Sequence, residues 1–189
     1  MRSCRGILLI LVLTAAIPRS LWAETSVPLD LQVELLWKVV RFERGFVERG
    51  RDVITLVLVV RPGSPESARA AARLAKLLER SGEVARKPVN VVLHSYASAA
   101  QLKAEVLAAS AQLVYLTPGL DSEIPAIAGA LSGVPVIIVS TDGDQVELGV
   151  VLAFALVSGR PRIALNLGQA RRQGLDFNSD LFRLARVIR

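Results

Sequence analysis

Apolar positions follow two different patterns along this chain. From Asp30 to Phe42 they recur at helical spacing: Leu29, Val33, Leu36 and Val40 share one face, and Leu31, Leu35, Val39 and Phe42 a second. Only Glu34, Lys38 and Arg41 make a polar stripe, with Glu34 and Lys38 at ion-pair spacing. So narrow a stripe predicts a first helix that is mostly buried, in its own domain or against a partner. Arg41 to Asp52 is charged and glycine-bearing and reads as a loop.

From Val53 onward the apolar residues come in short continuous runs, many of them β-branched, as strands of a buried parallel sheet require. Val53–Val60, Val89–Leu93, Gln112–Leu116 and Val134–Val139 are the predicted strands. Helices fit between them. Ser64 with Pro65 at the first helical position opens one that runs to about Arg80 and is stopped by Gly82. Ser98 and Gln101 form a capping box for another, to about Ala109. Asp121 is the expected cap of a third, carrying Ile124, Ile127, Ala128 and Leu131 and stopped by Gly133. Strands alternating with helices imply crossover units and a parallel sheet.

The alternation ends after Asp144. Glu147–Val157 and Arg162–Leu167 are apolar runs joined by Ser158-Gly159-Arg160-Pro161, which predicts a hairpin adding one or two antiparallel strands at an edge. Two short helices follow, one over Gly168–Gln173 stopped by Gly174, the other from Ser179 to near Val187. There is no repeat, low-complexity tract or linker. The expected fold class is α/β: a single three-layer, Rossmann-like domain over 24–189. It has a mostly parallel sheet of five or six strands, an N-terminal helix, and a C-terminal β-hairpin plus short helices.

Residues 1–23 have a separate character. Arg2 and Arg5 precede an apolar run from Gly6 to Ala16, too short for a bilayer, which takes about 20 residues. This reads as a secretory signal peptide, cleaved after Leu21-Trp22-Ala23, or alternatively at Ala15 or Ala16. Pro18 and Arg19 cut the run off and argue against an uncleaved anchor. Cys4 is the only cysteine and lies ahead of the apolar run, so the mature chain is expected to hold none. That excludes disulfide and thiolate chemistry even in an oxidising compartment. The expected location is the periplasm.

Composition narrows the function classes. The chain of 189 residues is 52% hydrophobic, enough for a full core, and only 5% aromatic. Its net charge of +6 includes Arg2, Arg5 and Arg19 of the leader. Without them, 20 basic residues face 17 acidic ones, which is no footprint of nucleic-acid binding.

Candidate chemistry is sparse. In open parallel sheets ligands bind beyond the carboxyl ends of the strands. Those ends carry Ser64, Ser95, Thr117, Ser140 and Thr141, hydroxyls suited to a small anion or a polar metabolite, or simply turn and cap residues. His94 is the only histidine, and the sequence offers it no catalytic partner. There is no dinucleotide, phosphate-loop or serine-nucleophile motif, no zinc ligand set, and no cofactor is implied. Asp142, Asp144 and Glu147 lack calcium-loop spacing and read as a solvated turn. Trp37, Val40, Arg41 and Phe42 on the first helix are the candidate partner-binding residues. The arginines near the end, Arg171, Arg172, Arg183, Arg186 and Arg189, read as solvated helix faces.

The C-terminal run is more distinctive. Arg162-Ile163-Ala164-Leu165-Asn166-Leu167, then Ala170-Arg171-Arg172, Gly174-Leu175-Asp176-Phe177, and Leu181-Phe182-Arg183-Leu184-Ala185-Arg186-Val187 resemble the closing motif of the YfiR-like (YfiR/HmsC) family of secreted bacterial proteins. The resemblance implies a periplasmic α/β domain. It also implies a regulatory role: binding the periplasmic part of an inner-membrane diguanylate cyclase and limiting cyclic di-GMP production. No catalytic residue carries over. The best understood member depends on disulfides, whereas this mature chain has no cysteine to sense redox state. The first helix carries Lys38-Val39-Val40-Arg41-Phe42-Glu43 where the family commonly has an aromatic stretch ending in tryptophan-proline. Two functional readings follow. One is a non-enzymatic regulator of an inner-membrane signalling protein (a diguanylate cyclase or sensor kinase), expected also to form a homodimer. The other is a periplasmic solute-binding protein, a single lobe with a polar site at the strand ends.

Overall fold

The computed structural model describes residues 26–50 and 52–188. The predicted signal peptide, with Cys4 and every candidate cleavage site, lies outside them, as does Arg189.

Helix α1 (Leu29–Val39) continues as a 3-10 turn over Val40–Phe42, and the expected loop contains one short helix, α2 (Phe46–Arg49). Strand β1 (Ile54–Val60) leads into α3 (Pro65–Arg80), a two-residue strand β2 (Glu83–Val84) and β3 (Lys87–Ser95). Helix α4 (Ala99–Ala108), β4 (Leu113–Leu116), α5 (Ile124–Ala130) and β5 (Ile137–Ser140) complete the alternating part. The remainder is β6 (Leu152–Val157), β7 (Arg160–Asn166), α6 (Leu167–Arg172), α7 (Ser179–Phe182) and β8 (Ala185–Ile188).

The strands form one eight-stranded sheet in the order β2-β3-β1-β4-β5-β6-β7-β8. β1 lies inside it, parallel to β3 and to β4, and from Ile54 to Val59 it is buried throughout, which is why no alternation of polar residues interrupts it. The chain runs one way from β1 to β3 and then crosses back past β1 to β4. Right-handed crossovers therefore put α3 on one face and α4 and α5 on the other. Helix α1 packs on the α3 side. Its Gln32 is fully buried. There the side-chain amide donates to the Val27 carbonyl at 2.7 Å and to the Thr141 carbonyl at 3.5 Å, while its oxygen accepts the Tyr115 hydroxyl. One buried amide thus ties the first helix to two strand ends.

Two predicted caps are present: Ser64 Oγ accepts the Ser67 N–H at 3.2 Å, and Ser98 Oγ the Gln101 N–H at 3.3 Å. Asp121 caps nothing. A 3-10 turn over Asp121–Glu123 intervenes before α5, and the Asp121 carboxylate accepts from Gln145 Nε2 at 2.6 Å instead.

The C-terminal third departs most from expectation. The sheet has eight strands, not five or six. The first half of the apolar run after Glu147 is not strand, because a 3-10 helix occupies Gly143–Leu148. β6 pairs parallel with β5 through Val139–Leu152 and Ser140–Ala153, and within this third the direction reverses only between β6 and β7, with β8 running alongside β7. Ser158 and Gly159 alone make the hairpin turn, at φ 51° and 72°, as a two-residue turn needs. The hairpin is not the edge. The final helix stops at Phe182 and not near Val187, because Ala185, Val187 and Ile188 find a parallel partner in β7, from Ile163–Ala185 to Asn166–Ile188.

The ends of the domain are clasped together. Glu43 is buried against Arg49 at 2.5 Å and accepts the Asp176 backbone N–H at 3.2 Å. Arg44 N–H reaches the Asp176 carbonyl at 2.9 Å, and Asn178 N–H the Phe42 carbonyl at 2.7 Å.

Candidate functional site: the strand-end cleft and the C-terminal sheet face

The sheet order puts the topological switch between β1 and β4, where such folds usually open a ligand crevice. Here internal bonds span it. Arg61 N–H donates to Ser67 Oγ at 2.8 Å, Ser67 Oγ meets Thr117 Oγ1 at 2.5 Å, and Thr117 Oγ1 donates to the Val59 carbonyl at 2.7 Å. The Arg61 guanidinium crosses to the Gly119 carbonyl. Ser67 and Thr117 are both fully buried, so their hydroxyls serve the fold.

The other candidate hydroxyls are scattered. Ser64 is the cap of α3. Ser140 is buried and donates to the Asp142 carbonyl at 3.2 Å. Ser95 is exposed at the last position of β3. Thr141 alone lines a cleft, of about 590 Å3, beyond the ends of β4, β5 and β6. Glu66, Asp121, Asp142 and Asp144 also line it, with Arg186 the one cation. Four carboxylates against one guanidinium disfavour the first of the two ligand classes expected there, a small anion, and leave the second, a polar metabolite, in cationic or zwitterionic form. Part of this charge is already used: Asp142 Oδ1 accepts the Asp144 N–H at 3.0 Å, which makes Asp142 the cap of the 3-10 helix. Among the described residues, no three of His, Cys, Asp and Glu converge to hold a metal.

His94 is half-buried, and its Nε2 has no hydrogen-bond partner among the described residues. Nothing there holds it as a base. Tyr96 donates to Glu123 at 3.3 Å; burial first, and then the Glu123 carboxylate, hold its phenol above the usual tyrosine range.

On the first helix the candidate partner residues divide. Val40 is fully buried in the core, Trp37 and Phe42 are half-buried and packed against it, and only Arg41 is exposed. Exposed apolar groups cluster at the C-terminal end of the sheet: Val157 and Leu184 are both more than half exposed, and Phe182 lies nearby in sequence. Strand register explains the cluster. Val157 lies opposite Arg160, Ala155 opposite Arg162, and Ala164 opposite Arg186, so these side chains share one face. The inner part of that face is covered by Val146 of the 3-10 helix, which packs on Ala153 and Ala164. The outer part forms a groove of about 340 Å3, lined by Val157, Arg162, Arg183, Leu184 and Arg186 among others. Arg186 pairs with Glu147 at 3.0 Å; Arg160, Arg162 and Arg183 have no acidic partner among the described residues. Sequence reading placed Arg183 and Arg186 on a helix. Recognising β8 was what could have revealed this face.

The family model for YfiR/HmsC-like proteins matches residues 30–186, from α1 into β8. The chain belongs to that family. The resemblance read from the C-terminal motif is thereby established, and the residues that carry the motif are β7, α6, α7 and β8. A search of curated proteins finds no match. Solved structures share the fold at low identity. A conserved domain protein from Vibrio cholerae matches with a TM-score of 0.59 at 13% identity, covering 86% of this chain and 60% of that one. The ABC domain in complex with L-Trp from Streptococcus pneumonia matches at 0.61 and 12%, covering 85% and 62%. CD0873 from Clostridium difficile, a substrate binding protein with adhesive properties in its ligand-free, open form, matches at 0.62 and 11%, covering 86% and 60%. This chain therefore spans about three fifths of the length of each. No helix among the described residues is long and apolar enough to cross a membrane.

Proposed function

We propose that this protein is a non-enzymatic periplasmic regulator, exported by a signal peptide over residues 1–23. It binds the extracytoplasmic part of an inner-membrane signalling protein, a diguanylate cyclase or a sensor kinase, and modulates it. The observation that carries this reading is the family match over residues 30–186. The docking surface we assign is the outer face of β6–β8, not the first helix. Val157 and Leu184 supply apolar area there, and Arg160, Arg162 and Arg183 supply uncompensated positive charge. That chemistry fits a segment of the partner that presents carboxylates beside an apolar side chain. The test is affinity capture from the native envelope with identification by mass spectrometry, using the unmodified chain and Leu184→Glu as baits. Recovery of a membrane signalling protein with the first bait, and its loss with the second, supports the reading. Recovery of the chain alone contradicts it.

A second reading is favoured by the strand-end cleft: a solute-binding role for a small cationic or zwitterionic metabolite. The cleft's size falls within the range of ligand sites, and two of the structural neighbours are described as an L-Trp complex and a substrate binding protein. A thermal-shift screen of amines and amino acids tests it, with Asp142→Asn expected to weaken any hit. The two readings are compatible, since a ligand in the cleft would touch Arg186, which lines both the cleft and the groove.

A further inference from the structure

Helix α3 carries a row of cations that no contact of the fold uses. Arg69, Arg73, Lys76 and Arg80 follow one another at steps of four, three and four residues, and all four are exposed. At about 100° per residue they fall within an arc of about 60°. The buried residues Ser67, Ala71, Leu74 and Leu78 lie on the opposite side, so the row points straight into solvent. It extends for about 16 Å along the helix. None of the four pairs with an acidic side chain among the described residues. Glu66 precedes the row and belongs to the acidic cleft, and Glu79 lies on the flank of the helix.

A solvated helix ordinarily alternates the sign of its charges at such spacings, as α1 does with Glu34 and Lys38 at 2.6 Å. On α3 the neighbours Arg69–Arg73, Arg73–Lys76 and Lys76–Arg80 are like charges at those spacings and work against the helix. Only Arg80, in the last turn, gains from the helix dipole. No large apolar side chain is exposed on α3, so the row lacks the buried anchor on which a protein interface centres. We propose that this row holds the domain against a bilayer surface rich in anionic headgroups, with α3 lying along the membrane plane. Four cations in one line engage many headgroups at once, and each adds attraction without a shaped pocket. The domain's 20 basic residues against 17 acidic ones set it apart from a nucleic-acid binder. Helix α3 packs on α1, β1 and β3, and β4 and β5 separate these strands from β6. The docking face of β6–β8 therefore stays free to meet a partner embedded in the same bilayer. The lipid contact is the same whatever protein docks there, so it stands or falls apart from the function proposed above.

The test is flotation of residues 24–189, which hold the complete sheet and core, with vesicles of stated composition. One set contains about one part phosphatidylglycerol to two parts phosphatidylcholine, the other phosphatidylcholine alone. Binding is expected only to the first set, and is expected to vanish at about 1 M salt, where the Debye length shrinks to about 3 Å. Arg73→Gln is expected to weaken it about fivefold, and Arg69→Gln, Arg73→Gln, Lys76→Gln and Arg80→Gln together more than about a hundredfold. Glutamine keeps the helix propensity, so the combined variant is expected to melt no lower than the unmodified chain. The control neutralises Arg160, Arg162 and Arg183 on the docking face by Arg→Gln, and is expected to float as the unmodified chain does. Equal binding to both vesicle sets overturns the proposal. So does a combined α3 variant that still floats, or a control that loses as much. A combined variant that melts several degrees lower would assign the cations to the fold, and release by duplex DNA at equal charge would make the row a general polyanion site; either result also overturns it.

Discussion

Buried polar residues set the finer geometry of this domain, and Gln32 and Tyr115 show how. Tyr115 sits in the middle strand layer with no access to water, and its hydroxyl donates to Gln32. Burial pushes the Tyr115 phenol far above the ordinary tyrosine range. Tyr115→Phe leaves the Gln32 oxygen without a donor and is expected to cost about 1–3 kcal/mol at neutral pH, read from chemical denaturation. The same residue governs alkaline behaviour. A phenol that holds its proton more tightly folded than unfolded contributes stability that is intact below the unfolded value, about pH 10, and is lost as pH rises above it. Melts from pH 8 to 11 are therefore expected to show stability falling above about pH 10, with a shallower fall in Tyr115→Phe. Little of this was legible in the sequence. Ser64 and Ser98 announce themselves because a cap needs only local spacing. Gln32 bonds Tyr115, and Ser67 bonds Thr117, across dozens of residues, and no local pattern marks a hydroxyl as already bonded. That is why five strand-end hydroxyls looked alike, although only Thr141 reaches a cleft.

At the level of elements, continuous apolar runs identified β1, β3, β4 and β5; β1, β4 and β5 are buried on both faces and have no other composition open to them, whereas β3 carries its apolar run half-exposed near the edge of the sheet. The same logic failed for β8. Arg-Leu-Ala-Arg-Val-Ile suits a helix as well as a strand, and pairing with β7 decides the matter. β2 is too short to carry any periodicity. A close approach that the sequence also hides is Gly143, which starts the 3-10 helix over β6. A Cβ there would come within 2.5 Å of the Ala155 Cβ and 3.3 Å of its Cα. Gly143→Val is expected to push this turn off the sheet and lower the melting temperature by several degrees. The acidic cleft and the arginine groove, both of which Gly143 lines, would lose their shape with it.

The whole molecule depends on contacts between its two ends. Glu43 and Arg49 fasten the segment after α1 to Asp176 and Phe177, more than 120 residues away. Arg49 keeps a quarter of its side-chain exposure, so Glu43→Gln is expected to cost about 2 kcal/mol, less than a fully enclosed pair would. In a domain of this size that is a drop of about 5 °C in a thermal melt. Strand order, the clasp and the face that β7 and β8 leave open are properties of the closed chain. The sequence foretold the α/β class and the family; of the partner residues it offered on the first helix, Val40 turns inward and Arg41 faces out. The central claim is that a membrane signalling protein docks on the open face of β6–β8. A photo-reactive amino acid at position 184, activated in intact cells of the native host, tests it most directly. The account predicts a cross-link to a membrane protein with an extracytoplasmic domain, and none from the same probe at position 107. Cross-links from position 184 to nothing at all, or only to copies of this chain, would contradict it.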